Sequence, residues 1–320
     1  MDLLIGTTPG KSFLGGPNAI TVGVPVYNNA STLRRTVESV LAQTRPATSI
    51  LLSDDQSTDE SQRIGEGLAA AHDRVTYVRR PENVGHTLNF HWLVHAATTP
   101  YFMWLAGDDL ILPTYLERMA DRLDADPELI GCVSLVQFTV EGKPTTLATG
   151  SEPLSGPPRD AVARYLDDPA ANARLYGLFR RAILATTVPA RHLHAWDWAS
   201  MAATLKHGAH GRVDEVLMVR DETPSSNYVK AVGRDNKGRL DRIFPLAPMT
   251  RELLFRQRIP LDSAVLRALI KINLQSHCSY MAAFHPRYSN TIGRVLRKNL
   301  WRISPARQLD RRGAVGPPLK

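Results

Sequence analysis

Short apolar runs alternating with amphipathic segments organise the first 125 residues. Ala19-Ile-Thr-Val-Gly-Val-Pro-Val-Tyr27 is rich in strand formers and runs into the turn residues Asn28-Asn-Ala-Ser31. Leu33, Val37, Val40 and Leu41 then fall on one face at helical spacing. Residues 49–53 predict a second strand, 59–71 a helix, 75–78 a third strand and 87–97 a third helix. Tyr101-Phe-Met-Trp-Leu-Ala-Gly-Asp-Asp-Leu110 predicts a fourth strand that stops at two adjacent carboxylates, with a helix over 114–123 behind it. Strands alternating with helices over short connections predict an α/β fold, a Rossmann-type mostly parallel sheet flanked by helices.

The pattern loosens afterwards. Residues 129–140 contain a further strand, and 141–158, with four prolines and three glycines, reads as a turn, hairpin or mobile loop. Helices are expected near 159–166 and 196–207 and a strand over 211–219, with Ala173-Arg-Leu-Tyr-Gly-Leu-Phe-Arg-Arg-Ala182 between the two helices. Residues 221–237 read as a polar loop, and the chain from 249 on is helical in pattern. The expected organisation is a leader over 1–18, a first half over 19–130, a second half of the same domain over 131–225, and a loop with a basic helical extension over 226–320.

Composition narrows the class. The 320 residues are 43% hydrophobic and 22% charged, ordinary for a globular protein, and no apolar run approaches a membrane span. Two cysteines, Cys132 and Cys278, support neither a disulfide framework nor a cysteine-based zinc site, so a reducing cytoplasm is the default expectation. The net charge of +8 is uneven: residues 245–320 carry 14 Lys/Arg against 3 Asp/Glu, a net +11 that leaves −3 for the rest. In 292–302, Ile292, Val295, Leu296, Leu300 and Trp301 alternate with Arg294, Arg297, Lys298 and Arg302 at approximate helical spacing. That pattern fits a peripheral contact with an anionic membrane or an apolar face packed on the domain. No recognition motif accompanies the charge, so nucleic acid is not an expected partner. Gly6-Thr-Thr-Pro-Gly-Lys-Ser12 is not a phosphate loop, because only three residues separate its glycines.

The candidate chemistry sits at the expected carboxyl ends of the strands, where such sheets gather ligands. Val24-Pro25-Val-Tyr27-Asn28, Asp54-Asp55-Gln-Ser-Thr-Asp59, Asn83-Val-Gly85 with Asn89, and Gly107-Asp108-Asp109 occur in one order with regular spacing. Together they resemble the nucleotide-sugar half of a family 2, GT-A-type inverting glycosyltransferase. The motif-bearing match covers about residues 19–125 and continues less sharply to about Arg220. The resemblance implies transfer of a hexosyl or related sugar from a nucleotide diphosphate donor, UDP- or dTDP-type, to a hydroxyl acceptor. That acceptor is a glycan, a lipid-linked sugar or a small molecule.

The resemblance also assigns roles. Pro25, Tyr27 and Asn28 end the strand that holds base and ribose. Asp54 accepts from a pyrimidine imide, and Asp55 either supports it or caps the following turn. Asn83, Gly85 and Asn89 belong to the same donor-binding set. A divalent cation, Mg²⁺ or Mn²⁺, neutralises the diphosphate leaving group and favours oxygen ligands. Ala106 stands where the family's first motif carboxylate is expected, which leaves Asp108, with Asp109 second, as the metal ligand. In His194-Ala-Trp-Asp-Trp-Ala199, Asp197 matches the catalytic base by position, and Trp196 and Trp198 could stack on a sugar. His192 and His194 could line the acceptor site or make ordinary polar contacts, and Arg180 and Arg181 could meet donor phosphate or acceptor charge or be solvated or salt-bridged. His91 and His95 share a helical face without further zinc ligands. A weakened sugar- or nucleotide-binding scaffold is the main alternative, motivated by Ala106, and a nucleotidyltransferase is a second.

Overall fold

A computed structural model describes residues 16, 18–170, 172–221 and 238–284. Nearly all of the leader, most of the 221–237 loop and the basic 292–302 segment lie outside the described residues. The first half runs β1 (Ile20–Val26), α1 (Leu33–Leu41), β2 (Ser49–Asp54), α2 (Ser61–Ala71), β3 (Val75–Arg79), α3 (His86–Ala96) and β4 (Tyr101–Trp104). A two-residue β5 (Leu110–Ile111) and α4 (Tyr115–Ala125) follow. The second half contains β6 (Leu129–Val140), β7 (Lys143–Leu147), α5 (Pro158–Asp167), a 3-10 turn (Ala173–Tyr176) and β8 (Leu178–Arg180). It continues through α6 (Arg181–Ala185), α7 (Trp196–Thr204) and β9 (Ala209–Asp221). After the 221–237 segment come α8 (Arg239–Ile243), α9 (Ala247–Arg251), a π-helical turn (Glu252–Arg256) and α10 (Ser263–Phe284).

All nine strands form one sheet in the order β3-β2-β1-β4-β8-β6-β9-β5, with β7 beside β6. β1, β2, β3 and β4 pair in parallel, as do β6 and β9, while β8, β5 and β7 run against their neighbours. The expected mostly parallel sheet is thus present, and it crosses from the first half to the second through the β4–β8 pairing. β1 and β4 are covered on both faces, which explains their near-continuous apolar sequence: six of the seven residues of β1 and all four of β4 are buried. The first part of the 141–158 stretch forms a hairpin with β6, and β7, Lys-Pro-Thr-Thr-Leu, is exposed along its whole length.

Leu33, Val37 and Val40 form the buried stripe of α1 as their spacing predicts. The long α10 is apolar on two faces. Val265, Ala268, Leu269 and Ile272 are buried, whereas Leu266, Ile270 and Leu274 are exposed. One register places chemistry: the antiparallel pairing Leu110↔Val219 sets Asp109 opposite Arg220.

Candidate functional site

The first motif is a loop clamped by its neighbours. After β1, Asn28 adopts a left-handed backbone with φ 56°. Its amide donates to Ser57 Oγ (2.9 Å), and its side-chain Oδ1 accepts from the Thr58 amide (2.8 Å). The Asn29 amide donates to Ser61 Oγ (2.8 Å) and the Ala30 amide to Asp59 Oδ2 (3.0 Å). The Ser-Thr-Asp part of the second motif therefore holds the first in shape. Tyr27, 52% exposed, is left with its ring open to a ligand. Pro25 lies within β1 opposite Ser53, beyond Gly23, the last β1 residue paired with β4.

Asp54 and Asp55 are both buried but do different things. Asp54 Oδ1 accepts from the Ser57 amide (2.7 Å) and Oδ2 from the Tyr77 hydroxyl (2.5 Å), with Arg79 Nη1 at 3.5 Å. With no exposed surface and both oxygens engaged, Asp54 has no open edge for a base, contrary to the expectation from its motif position. Turn capping, expected of Asp55, falls to Asp54. Asp55 instead takes the Val84 amide on Oδ1 (2.7 Å) and the Gly85 amide on Oδ2 (2.8 Å), and burial raises its pKa. Asn83 Nδ2 donates to the Asp55 carbonyl (2.9 Å). Asn89 is spent on the Ser53 hydroxyl and carbonyl (2.5 and 2.9 Å), so it fastens α3 to β2 and presents nothing outward. Gly85 has φ 77°, and a Cβ there would lie 3.0 Å from the His192 ring, so glycine allows the 192–196 segment to close over this loop.

The loop after β4 is held from below by α1. Thr32 Oγ1 donates to the Gly107 carbonyl (2.6 Å), Arg35 to that of Asp108 (3.2 Å) and Thr36 Oγ1 to that of Asp109 (2.9 Å). Gly107 allows the first and fourth strand ends to touch, because a Cβ there would meet Asn29 Cγ at 2.8 Å. The two carboxylates diverge. Asp109 is buried, with Oδ2 3.0 Å from Arg220 Nε. Burial, and secondarily the Asp108 charge, push its pKa up to about 7, while Arg220 pulls it down. Asp108 is half-buried, and its carboxylate makes no hydrogen bond among the described residues. Of the two expected ligands, only Asp108 offers open oxygens. One such carboxylate suits Mg²⁺ or Mn²⁺, whose remaining positions are filled by water and substrate phosphate. No group of three metal-ligating side chains exists among the described residues.

Asp197 lies in the first turn of α7, after Ala195 with φ 56°. Its Oδ2 accepts from Asn172 Nδ2 (2.9 Å). Trp196 does not line a sugar site as its sequence position suggests. It is 3% exposed, packs edge-on against Phe90 and Trp104 (5.0 and 6.0 Å), and donates to His86 Nδ1 (2.9 Å). That bond joins the start of α7 to the start of α3, beside the Asp55-held loop. Trp198 is half-buried and His192 exposed.

Arg180 and Arg181 lie away from the carboxylate loop that follows β4. Arg180 donates to the Leu129 and Leu123 carbonyls (2.8 and 2.9 Å), and Arg181 to that of Thr99 (3.1 Å), all at the opposite end of β4. His91 and His95 face each other at 4.2 Å, with pKa values lowered by burial first and then, for His91, by its partner.

Tyr176 ties the halves together. Its buried ring lies 4.4 Å beneath the Arg220 guanidinium and within the fields of Asp108, Asp109 and Asp197. The carboxylates of the first half and Asp197 of the second thus converge on one place. Sequence reasoning missed Arg220, although the rule that chemistry gathers at strand ends would have found it at the end of β9. It also missed Arg80, stacked 5.0 Å from the Trp92 ring with its buried Nε unpartnered, and Asn172, which lies in a loop without any motif.

Comparison with known proteins identifies the family and the fold. The family model described as "Glycosyl transferase family 2" matches residues 21–187. EpsE of Bacillus subtilis (strain 168) is 34% identical over 134 residues, covering 40% of this chain and 47% of EpsE. The chain therefore spans less than half the length of that relative. Crystalline Staphylococcus aureus TarS 1-349 superposes with a TM-score of 0.55 at 16% identity, over 85% of this chain and 74% of TarS. The mannosyltransferase PcManGT from Pyrobaculum calidifontis, in complex with GDP-Man and Mn²⁺, gives 0.53 at 19%, over 87% and 80%. Both likenesses establish a GT-A-like fold. With more than half its length matched by the family model, the chain belongs to glycosyl transferase family 2.

Proposed function

We propose that this enzyme transfers a hexosyl or related sugar from a nucleotide diphosphate donor to a hydroxyl acceptor, with inversion at the anomeric carbon. The supporting observation is the convergence around Tyr176 of an open carboxylate, a paired carboxylate and arginine, and a carboxylate from the second half. TarS has been crystallised with UDP-GlcNAc, and we take a UDP- or dTDP-type donor as the reading to test first. Tyr27 offers a ring to the base. Asp55 is better placed than Asp54 to accept from its imide, since it keeps some exposed surface while Asp54 has none and its Oδ2 already faces both Tyr77 and Arg79. Asn83 and Gly85 shape that wall, Asn28 and Pro25 fix the strand end, and Asn89 braces it from behind.

Asp108 holds the Mg²⁺ or Mn²⁺, which when bound offsets charge on the departing diphosphate. Arg220, fixed by Asp109 and Tyr176, adds a second positive charge there. Asp197 takes the proton of the acceptor hydroxyl as its oxygen bonds to the anomeric carbon. The bond to the diphosphate oxygen breaks on the opposite face, and its electron pair leaves with the nucleotide. The acceptor is a glycan, lipid-linked sugar or small molecule.

The test is transfer with Mn²⁺ across a donor panel, with product configuration read by NMR. Asp197→Asn is expected to lose about 10²–10⁴ in kcat with donor affinity kept; near-normal transfer would sink the base assignment. Ala106, and the pairing of Asp109 with Arg220, favour one rival, a scaffold that binds donor without turnover. Donor binding with no product from any acceptor would establish that instead. A nucleotidyltransferase would release pyrophosphate from a nucleoside triphosphate in the same assays.

We also propose cytoplasmic residence and peripheral contact with an anionic membrane, supported by two free cysteines and the basic 245–320 region. No described helix is long and apolar enough to cross a membrane. Failure to co-sediment with anionic vesicles at low salt would remove the membrane part.

A further inference from the structure

Outside the motifs, one polar side chain is built into the site with unusual completeness. Asn172 is 4% exposed and takes a left-handed backbone, φ 46°, a conformation asparagine tolerates better than most residues. Both ends of its amide are committed. Oδ1 accepts from the Tyr165 hydroxyl (2.8 Å), and Nδ2 donates to Asp197 Oδ2 (2.9 Å). Because a phenol at neutral pH donates and a carboxylate only accepts, this chain of bonds has one direction. Tyr165 fixes which end of the amide faces Asp197, and the amide fixes one carboxylate oxygen.

The support around it is rigid. Tyr165 is a buried residue of α5. The Asn172 amide donates to the Pro169 carbonyl (3.0 Å), and its carbonyl accepts from Leu175 (3.0 Å). Two residues on, buried Arg174 donates to the carbonyls of Gly150 and Glu152 (3.0 and 2.7 Å), anchoring the adjoining loop. Such bracing exceeds what closing a surface turn requires.

We propose that Asn172, oriented by Tyr165, is the positioning residue of the catalytic carboxylate, holding Asp197 Oδ2 so that Oδ1 faces the acceptor hydroxyl. This rests on Asp197 being the base. The relay gives the carboxylate a single rotamer through one charge-assisted bond. Titratable groups whose fields reach Asp197 are Tyr165 from α5 and Tyr176 from the 3-10 turn. Burial raises both phenols above their ordinary range, so neither changes charge near neutral pH. His86 on α3 meets the adjacent Trp196, and His192 and His194 lie on the loop leading into α7.

The experiment compares Asn172→Gly, which keeps the left-handed backbone accessible, and Tyr165→Phe with wild type. Readouts are kcat, donor KM, and an unfolding double-mutant cycle of N172G with Asp197→Asn. N172G is expected to lower kcat about 10-fold or more at neutral pH. Donor KM should stay within about twofold, with positive coupling to D197N in the cycle. Y165F should move the same quantities in the same direction by less, because the amide is then free to turn over. An unchanged kcat in both variants, or a loss of kcat matched by a comparable rise in donor KM, with D197N inactive, would overturn the relay while leaving the base reading intact. If D197N keeps normal transfer, the base reading itself fails and the relay falls with it.

Discussion

The Asp109–Arg220 pair makes a demanding stability prediction because its cost is expected to depend on pH in a defined direction. Asp109 is buried and holds its proton more tightly in the folded chain, with a pKa of about 7 against an ordinary 3.8. Its contribution to stability is therefore full below about pH 4 and is lost as pH rises through about 7. Arg220→Met removes the charge that lowers this value, so the folded midpoint in the variant lies higher still. Below about pH 7 both proteins hold the proton, and the variant forfeits a hydrogen bond and the stacking on Tyr176, about 1 kcal/mol. Above that point only the variant still binds the proton in its folded state, so the penalty grows by about 1.4 kcal/mol per pH unit. Urea unfolding should therefore give a deficit of about 1 kcal/mol at pH 6 and about 3 kcal/mol at pH 8.5. Adding Asp109→Asn should return most of the alkaline deficit, since no buried charge is then left unpaired. Equal deficits at both pH values, or a larger one at pH 6, would refute the assigned coupling.

Two further outcomes follow from the loop after β4. Gly107→Ala drives a Cβ to 2.8 Å from Asn29 Cγ, between backbone held by Thr32 and a side chain held by Tyr27. It should cost about 1–3 kcal/mol by chemical denaturation and weaken donor binding; a neutral effect on both would mean that the two strand ends do not touch as described. Asp108→Asn should uncouple stability from function. Removing the like charge beside Asp109 leaves Tm unchanged or raises stability by up to about 1 kcal/mol, while Mn²⁺-dependent donor binding by calorimetry disappears. Retained metal-dependent binding would remove Asp108 as the ligand.

The fold was legible because hydrophobic period and turn residues agree. The largely apolar β1 and β4, the i, i+4, i+7 stripe of α1 and the carboxylate pairs that close β2 and follow β4 all point to one sheet. Roles within the site were less legible, because a motif does not say which of two neighbouring carboxylates faces inward. In Asp54-Asp55 the strand's alternation turns the first towards Tyr77 and Ser57 and leaves the second to take the Val84 and Gly85 amides. In Asp108-Asp109 the short β5 turns the second towards β9 and Arg220. Trp196 read as a sugar platform, but aromatic residues beside a motif also fill cores, and Phe90 and Trp104 supply the partners that bury it. Asn172 carries no sequence signal, because its importance comes from a left-handed turn and from contacts 7 and 25 residues away in the chain.

The central claim is that these strand ends bind a sugar nucleotide with a divalent cation held by Asp108. Thermal unfolding with Mn²⁺ against UDP-, dTDP- and GDP-sugars tests it most directly. At about 100 times Kd, a ligand confined to the folded state adds about 2.7 kcal/mol, or about 5 °C in Tm for a chain of this size. The account expects such a shift for at least one donor, dependent on Mn²⁺ and absent in Asp108→Asn. No shift with any sugar nucleotide, with or without metal, would contradict it.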